Sequence, residues 1–423
     1  MMLLDPRGGA DAAEGEGEAA DASVRTYTVD LVYIDAGGGH RASALALEAA
    51  IVRAGLNWNV RLVNLREVLD PTDGFRRFTG IDPEDVYNQR IKRGWTAGLA
   101  QELKVLQAMI RWSHAPLVRR LRAYWAETRP DMVVSLIPNF NRALRASLAL
   151  ACPQAPYATV LTDLADHPPN FWIEKGLDQH IVCGSARAVQ QARDAGYVAS
   201  RIHATSGMIL RHGFHDGQAC DEAGRASARL EHGLEPHRAT GIVLFGGQGA
   251  KAMLDIARRL PDMQLILACG HNAQLANALR ALPVQPGQAP HLVLGFTPDP
   301  ARYMRLADFF IGKPGPGSVS EAVQMQLPVI VACNRWTLPQ ERYNAQWVRE
   351  NGVGIVVPGF AKVREAVTTL VADLPAYRAA TMRMRNRAAF EVPEILSEVL
   401  QQVSRSTIAG STAGSDSIRS STR

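Results

Sequence analysis

Ile242-Val243-Leu244-Phe245 is apolar at every position and runs directly into Gly246-Gly247-Gln248-Gly249. A strand with one wet face alternates apolar and polar residues, whereas a strand covered on both faces does not. The run therefore reads as a strand of a parallel sheet with helices on both sides. Similar short runs recur in both directions, separated by stretches of helical pattern. Toward the C-terminus they fall at Leu265–Ala268, Leu292–Leu294, Phe309–Ile311, Val329–Ala332 and Gly354–Val357. Toward the N-terminus they fall at Tyr27–Asp35, Val60–Leu65, Met132–Ile137, Tyr157–Thr162, His180–Cys183 and Ile202–Thr205. The series pauses at 211–240, a polar stretch that contains glycines. The pattern predicts two α/β domains of similar size, 25–210 and 241–403, joined by a linker at 211–240. No repeat of fixed period is visible.

The composition agrees. The chain has 423 residues, 47% hydrophobic and 21% charged, enough for two or three domains at roughly 150 residues each. Residues 1–24 carry Asp5, Asp11, Glu14, Glu16, Glu18 and Asp21 against Arg7 alone, and residues 404–423 are half Ser or Thr. Neither end offers enough apolar surface to offset ordering entropy, so both are expected to be disordered tails. No apolar run approaches the ~18 residues of a membrane-spanning helix. The start lacks a basic region ahead of its apolar residues, so no secretory signal is expected. Cys152, Cys183, Cys220, Cys269 and Cys333 are widely spaced with no C-x-x-C, which argues against a disulfide framework or zinc ribbon and fits a reducing cytoplasm. A net charge of +5 is too weak to indicate nucleic acid.

Chemistry enters where the first strand ends, at Asp35-Ala36-Gly37-Gly38-Gly39-His40-Arg41. Glycines let a ligand approach the backbone, and the following helix start offers free N–H groups. The stretch lacks both G-x-G-x-x-G and G-K-[ST], and a tight strand-to-helix turn accounts for it equally well. His40 adds an imidazole able to act as a base or phosphate donor near neutral pH. A second constellation is Gly312-Lys313-Pro314-Gly315-Pro316-Gly317-Ser318-Val319-Ser320-Glu321. Pro314, Gly315, Pro316 and Gly317 suit a rigid backbone cradle, Ser318 and the helix start suit phosphate oxygens, and Glu321 suits ribose hydroxyls. The alternative is a capping box, Ser318 to Glu321, needing no ligand. Gln340, Glu341 and Asn344 offer hydrogen bonds to a hydroxyl-rich ligand or simply occupy a solvated loop. Asp163 and Asp166 follow a first-domain strand as candidate bases or turn caps. His212, His215, Asp216 and Cys220 have a spacing that zinc could use, but no second ligand cluster accompanies them, so no metal is expected.

Five motifs occur in an order that resembles the monogalactosyldiacylglycerol synthases, lipid glycosyltransferases of family 28: Asp35–Ser43, Leu161–Trp172, Phe245–Gly249, Gly312–Ala322 and Gln340–Gly354. The resemblance spans residues 28–358. It implies the GT-B fold, two Rossmann-like domains facing a central cleft, with the acceptor on the first and a UDP-sugar on the second. It further implies inverting transfer of galactose or glucose to diacylglycerol, without a metal or other cofactor. Matched position by position, Gly38, Gly39 and His40 correspond to the acceptor and diphosphate loop, with His40 as a base and Asp163 as its rival. Gly246, Gly247 and Gln248 correspond to the glycine turn at the diphosphate, and Phe296 to the uracil grip. Gly315 to Ser318 correspond to the phosphate cradle, Glu321 to the ribose carboxylate, and Gln340, Glu341 and Asn344 to contacts with the donor sugar. Pro339 stands where the family has Gly before that Gln, and Gln248 departs from the usual turn, which leaves the sugar open. A UDP-sugar epimerase, another transferase such as an N-acetylglucosaminyltransferase, and a non-catalytic nucleotide-sugar-binding protein remain alternatives.

The charge distribution adds one expectation. Gly74–Arg122 holds ten basic and four acidic residues, with an apolar helical stripe of Leu99, Leu103, Leu106 and Ile110 widened by Val105, Met109 and Trp112. Packing on the first domain is the ordinary reading of such a stripe. The charge, and a length beyond what one crossover helix needs, point to docking on an anionic membrane through Arg90, Lys92, Arg93 and Trp112. That places the chain peripherally on the cytoplasmic side of a membrane.

Overall fold

Among the described residues, twelve strands form two parallel sheets of six. The computed structural model describes residues 25–35, 38–70, 99–215, 222–283 and 286–419. The first sheet contains β1 (Tyr27–Tyr33), β2 (Trp58–Asn64), β3 (Met132–Ser135), β4 (Tyr157–Val160), β5 (His180–Cys183) and β6 (Ile202–Ala204), in the order β2-β1-β3-β4-β5-β6. The second contains β7 (Thr240–Leu244), β8 (Gln264–Ala268), β9 (His291–Leu294), β10 (Phe309–Gly312), β11 (Val329–Ala332) and β12 (Gly354–Val357), in the order β12-β11-β10-β7-β8-β9. Each strand coincides within a few residues with an apolar run of the sequence.

The physical reason is visible in the burial. β3, β4, β5, β8 and β10 are buried at every position, while the edge strands β6 and β9 have no fully buried residue. Along β1, Val29 and Leu31 enter one core and Val32 the other, and Leu31 lies in register between Leu62 and Val134. In the second sheet Ile242 and Phe310 face one core, Val243 and Phe309 the opposite one. Both domains are three-layered.

Two helices link the domains. The last helix, Ala388–Arg419, crosses back from the second domain. Its residues Ala388, Val392, Leu396, Val399 and Leu400 are buried in the first-domain core with Val29, Leu31 and Val134. The chain thus returns to the first-domain core within the span 241–403 expected for the second domain. The helix also continues through much of the Ser/Thr-rich stretch expected to be a tail. At the other crossing, the expected linker contains the helix Glu222–Glu231. Its Arg229 is 3% exposed, donates to the Leu306 carbonyl at 2.8 Å and pairs with Asp308 at 2.8 Å. Arg225 and Arg378 also reach Asp308. This helix is anchored to the second domain through a buried charge with several partners, the condition under which burial of an ion pair is tolerated.

In open parallel sheets, ligands bind at the carboxyl ends of the strands where the strand order reverses. Here that point lies between β1 and β3 in the first sheet, and between β10 and β7 in the second. The loops after those strands hold most of the candidate residues.

Candidate active site

The first-domain wall is built around one loop, Leu161–Trp172, which follows β4. The Asp166 carboxylate accepts the backbone N–H groups of Asn170 at 2.9 Å, Phe171 at 2.9 Å and Trp172 at 2.6 Å. Asp166 is thus the turn cap of this loop, and burial still holds its carboxyl above the usual range against those hydrogen bonds. The cap delivers Trp172, fully buried, to the next carboxylate. Its indole donates to Asp163 at 2.8 Å. Burial pushes Asp163 up to about 7, with Glu341 and Asp166 adding to the shift and Lys313 and the indole opposing it. Glu341 and Lys313 belong to the second domain, so Asp163 faces across the cleft.

His40 occupies the first turn of the helix Gly39–Arg53, whose N-cap Gly38 has φ +76°, a conformation that favours glycine. Its Nδ1 lies 3.1 Å from the Thr162 hydroxyl, and its ring centroid lies 5.9 Å from that of Trp172. Burial lowers its pKa to about 4, partly countered by the Leu136 carbonyl. A helix start also disfavours a cation. The imidazole is therefore neutral at neutral pH and able to accept a proton. Sequence reasoning missed Thr162 and Trp172, since neither has reactive chemistry of its own.

On the second-domain wall, the alternative reading of Ser318 and Glu321 as a capping box does not hold. The helix Pro316–Gln324 has Gly315 as its N-cap and Pro316 at its first position, which places Ser318 inside the helix. Intrahelical bonding begins with Val319 N–H donating to Gly315 O at 3.0 Å. The amides of Gly317 and Ser318 have no acceptor within the helix and are open to an anion. Gly317 has nothing within 4 Å of where a Cβ would stand. Burial lifts Glu321 to about 7 against the pull of Arg211.

Gly246 has φ +75°, and Gly247 is exposed; a Cβ at either position would meet open space. The turn is braced from beneath, with His271 N–H donating to Gly247 O at 2.8 Å and the Asn272 amide to Gln248 O at 3.3 Å. The Gln248 side-chain oxygen is buried without a hydrogen-bond partner, as is that of Asn344. Such orphans are unusual and mark a place where a ligand or water completes the set. Phe296 is 59% exposed and stacks on His271 at 4.0 Å, leaving a flat aromatic surface beside the glycine turn.

The three residues expected at the donor sugar divide. Glu341 is buried and paired with Lys313 at 2.6 Å. Asn344 donates to the Pro314 carbonyl at 2.8 Å and so holds the cradle loop. Gln340 is half-buried in the first turn of the helix Pro339–Glu350. Lys313 packs its side-chain stem against the cradle glycine, 3.3 Å from where a Cβ on Gly315 would stand.

The remaining candidates separate from this site. Arg90, Lys92 and Arg93 lie outside the described residues, as do Asp216 and Cys220. His212 and His215 stand against Phe390 with centroids 5.9 and 5.6 Å away. Among the described residues no group of three or more His, Cys, Asp or Glu could hold a metal ion. Two cavities, about 460 Å³ beside Arg53 and Phe390 and about 680 Å³ beside Asp178 and Arg201, lie away from the carboxyl ends of the strands.

Residues 241–399 match the glycosyltransferase family 28 C-terminal domain. Monogalactosyldiacylglycerol synthase 2 of Arabidopsis thaliana is 28% identical over 78% of this chain and 71% of its own. Monogalactosyldiacylglycerol synthase of Spinacia oleracea is 28% identical over 77% of this chain and 62% of its own. Among solved structures, MurG of Acinetobacter baumannii superposes with a TM-score of 0.56 at 14% identity, covering 90% of this chain and 99% of its own. UDP-GlcNAc 2-epimerase from Neisseria meningitidis superposes with a TM-score of 0.53 at 12% identity, covering 89% and 100%. At these identities the structural likeness concerns the fold alone.

Proposed function

We propose that this chain, a glycosyltransferase of the GT-B fold similar to the monogalactosyldiacylglycerol synthases, moves galactose or glucose from a UDP-sugar to diacylglycerol with inversion at the anomeric carbon. The observation that carries this reading is the pairing of walls. A phosphate cradle with open amides and a nearby lysine stands across the cleft from a neutral histidine and a buried carboxyl.

In the proposed reaction the donor lies along the second domain, with the uracil on Phe296, the ribose on Glu321 and the diphosphate on Gly246, Gly247 and the amides of Gly317 and Ser318. His40 removes the acceptor hydroxyl proton as the oxygen attacks C1 of the sugar. The C1–O bond to phosphate breaks and its electron pair leaves with UDP on the opposite face. Open amides and a helix start stabilise that charge without rearranging, so the reaction proceeds without a metal.

The acceptor side fits a lipid. On the helix Leu99–Trp112, Val105, Met109 and Trp112 are 58%, 59% and 89% exposed and share one face. Gln107, on the other face, donates to the Asn139 side-chain oxygen at 3.0 Å in the loop after β3. The exposed apolar face is thus fixed beside the first-domain crevice, where a membrane could present the acceptor. No described helix is long and apolar enough to cross a membrane, and docking from the cytoplasmic side is the arrangement we propose.

Incubation with radiolabelled UDP-galactose or UDP-glucose and diacylglycerol, followed by lipid extraction, tests the reading. Label should enter the lipid phase as a β-glycosyl lipid. Conversion of the donor to its epimer with no labelled lipid would make the chain an epimerase instead.

A further inference from the structure

The ion pair between Lys313 and Glu341, 2.6 Å long, flanks the cradle that the donor diphosphate would fill. A Cβ at Gly315 would stand 3.3 Å from Lys313 Cε and 3.7 Å from Glu341 Oε1. The lysine stem and the carboxylate therefore both border the glycine that opens the helix Pro316–Gln324. Glu341 is 6% exposed and fixed in the first turn of the helix Pro339–Glu350, whereas the Lys313 side chain is 35% exposed. A buried carboxylate on a helix is set in place, while a half-open ammonium on a flexible stem can change partners.

A nucleoside diphosphate brings at least two negative charges to a wall whose open amides offer only partial positive ones. A full cation already stands within reach. We infer that Lys313 exchanges Glu341 for the donor diphosphate, becoming a catalytic residue that neutralises the leaving group and frees Glu341 to accept a hydroxyl of the donor sugar. The inference rests on the donor-site reading above. As the C1–O bond breaks, its electron pair passes to the phosphate oxygen, and the ammonium balances that charge without giving up a proton. The two charges act in opposite senses on the Asp163 carboxyl of the first-domain wall. Before the donor arrives, the pair keeps Glu341 neutralised in a buried place where an unpaired carboxylate would be costly.

Calorimetry with uridine, UDP and the UDP-sugar separates the exchange from a structural pair. Lys313→Ala should weaken UDP at least about tenfold and leave uridine unchanged, because the lysine reaches only the phosphates. Lys313→Arg should restore part of the loss. Glu341→Gln should bind UDP as tightly as the wild type or more tightly, since the lysine no longer has to leave Glu341, and should lose any preference for UDP-sugar over UDP. Equal weakening of uridine and UDP in Lys313→Ala, unchanged UDP binding in that variant, or parallel losses for UDP and UDP-sugar in Glu341→Gln would overturn the exchange. Wild-type protein that binds neither uridine nor UDP would overturn the donor-site reading itself, and the exchange with it.

Discussion

The indole of Trp172 donates to the Asp163 carboxylate at 2.8 Å while the same ring stands 5.9 Å from the His40 imidazole. One buried aromatic side chain thus borders both candidate bases of the first domain. The arrangement starts one turn earlier, where Asp166 gathers three backbone amides and sets the direction in which Trp172 emerges.

Trp172→Phe keeps most of the packing and deletes the hydrogen bond. Without that donor the Asp163 carboxyl should rise further above about 7. At pH 8.5, where the carboxylate is ionised, the variant should lose about 1.5–3 kcal/mol, the worth of a hydrogen bond to a charged group, and at pH 5.5 only the about 0.5–1.5 kcal/mol of a bond between neutral groups. Denaturant melts at the two pH values check this; equal losses at both would show that the indole contributes packing only.

Asp163→Asn should stabilise the fold and remove the negative charge at that position. The folded-state pKa of Asp163 is raised to about 7 from an ordinary 3.8. Between those values the folded state holds a proton that the unfolded state has released, so its contribution is favourable at low pH and lost as pH rises through 7. Asparagine removes that loss while still accepting from the indole. The gain should be largest above pH 7, on the order of a few kcal/mol, and small near pH 4. A midpoint that moves equally at both pH values would contradict it.

The strands were readable because burial on both faces removes the polar alternation that otherwise competes with a strand assignment; β3, β5 and β10 are examples. The crossing of the last helix was not, because the spacing of Val392, Leu396 and Val399 says that one face is buried and not which sheet buries it. The helix Glu222–Glu231 was hidden because its anchor is Arg229, and a charged residue in a polar stretch reads as solvated. In the site, the cradle residues were legible from Gly and Pro spacing. Pro316 at the first helical position decided against the capping box by making Gly315 the N-cap. Lys313 had no legible role because its partner, Glu341, lies 28 residues away in sequence.

Glu321→Gln should remove a pH dependence from nucleotide binding. Burial holds the Glu321 carboxyl at about 7, so the ionised form that best accepts ribose hydroxyls forms as pH rises from 6 to 8. Wild-type affinity for uridine should increase across that range, and the variant should bind more weakly with a flat profile. Uridine carries no phosphate that titrates there, which keeps the comparison clean. A wild-type profile parallel to that of the variant would place the ribose elsewhere.

His40→Ala should cut turnover on the order of a hundredfold or more and leave UDP affinity nearly intact. The imidazole is already neutral well above its lowered pKa of about 4, so its basic form is fully present near pH 7. Equal losses of turnover and UDP affinity would make His40 a phosphate ligand, and unchanged turnover would pass the role of base to Asp163.

The exposed face of the helix Leu99–Trp112 leads to the last prediction. Val105, Met109 and Trp112 lie on the side turned away from Gln107, whose bond to Asn139 holds the helix against the loop after β3. Burying one such side chain in a bilayer interface contributes roughly 1.5–3 kcal/mol. Basic residues near an anionic surface add roughly 1 kcal/mol each before screening, and Arg111 stands beside Trp112 on the same helix. The combination gives reversible binding, not insertion. Sedimentation with vesicles containing anionic lipid should recover the protein, and recovery should fall as salt rises. Met109→Glu with Trp112→Glu should abolish recovery at every salt concentration while UDP binding stays unchanged, because neither side chain touches the donor wall. Arg90, Lys92 and Arg93 replaced together by Glu should reduce binding to anionic vesicles and remove its salt dependence. Equal recovery with neutral vesicles would remove the electrostatic part of the docking, and recovery that survives the loss of Met109 and Trp112 would show that this face meets something other than a membrane.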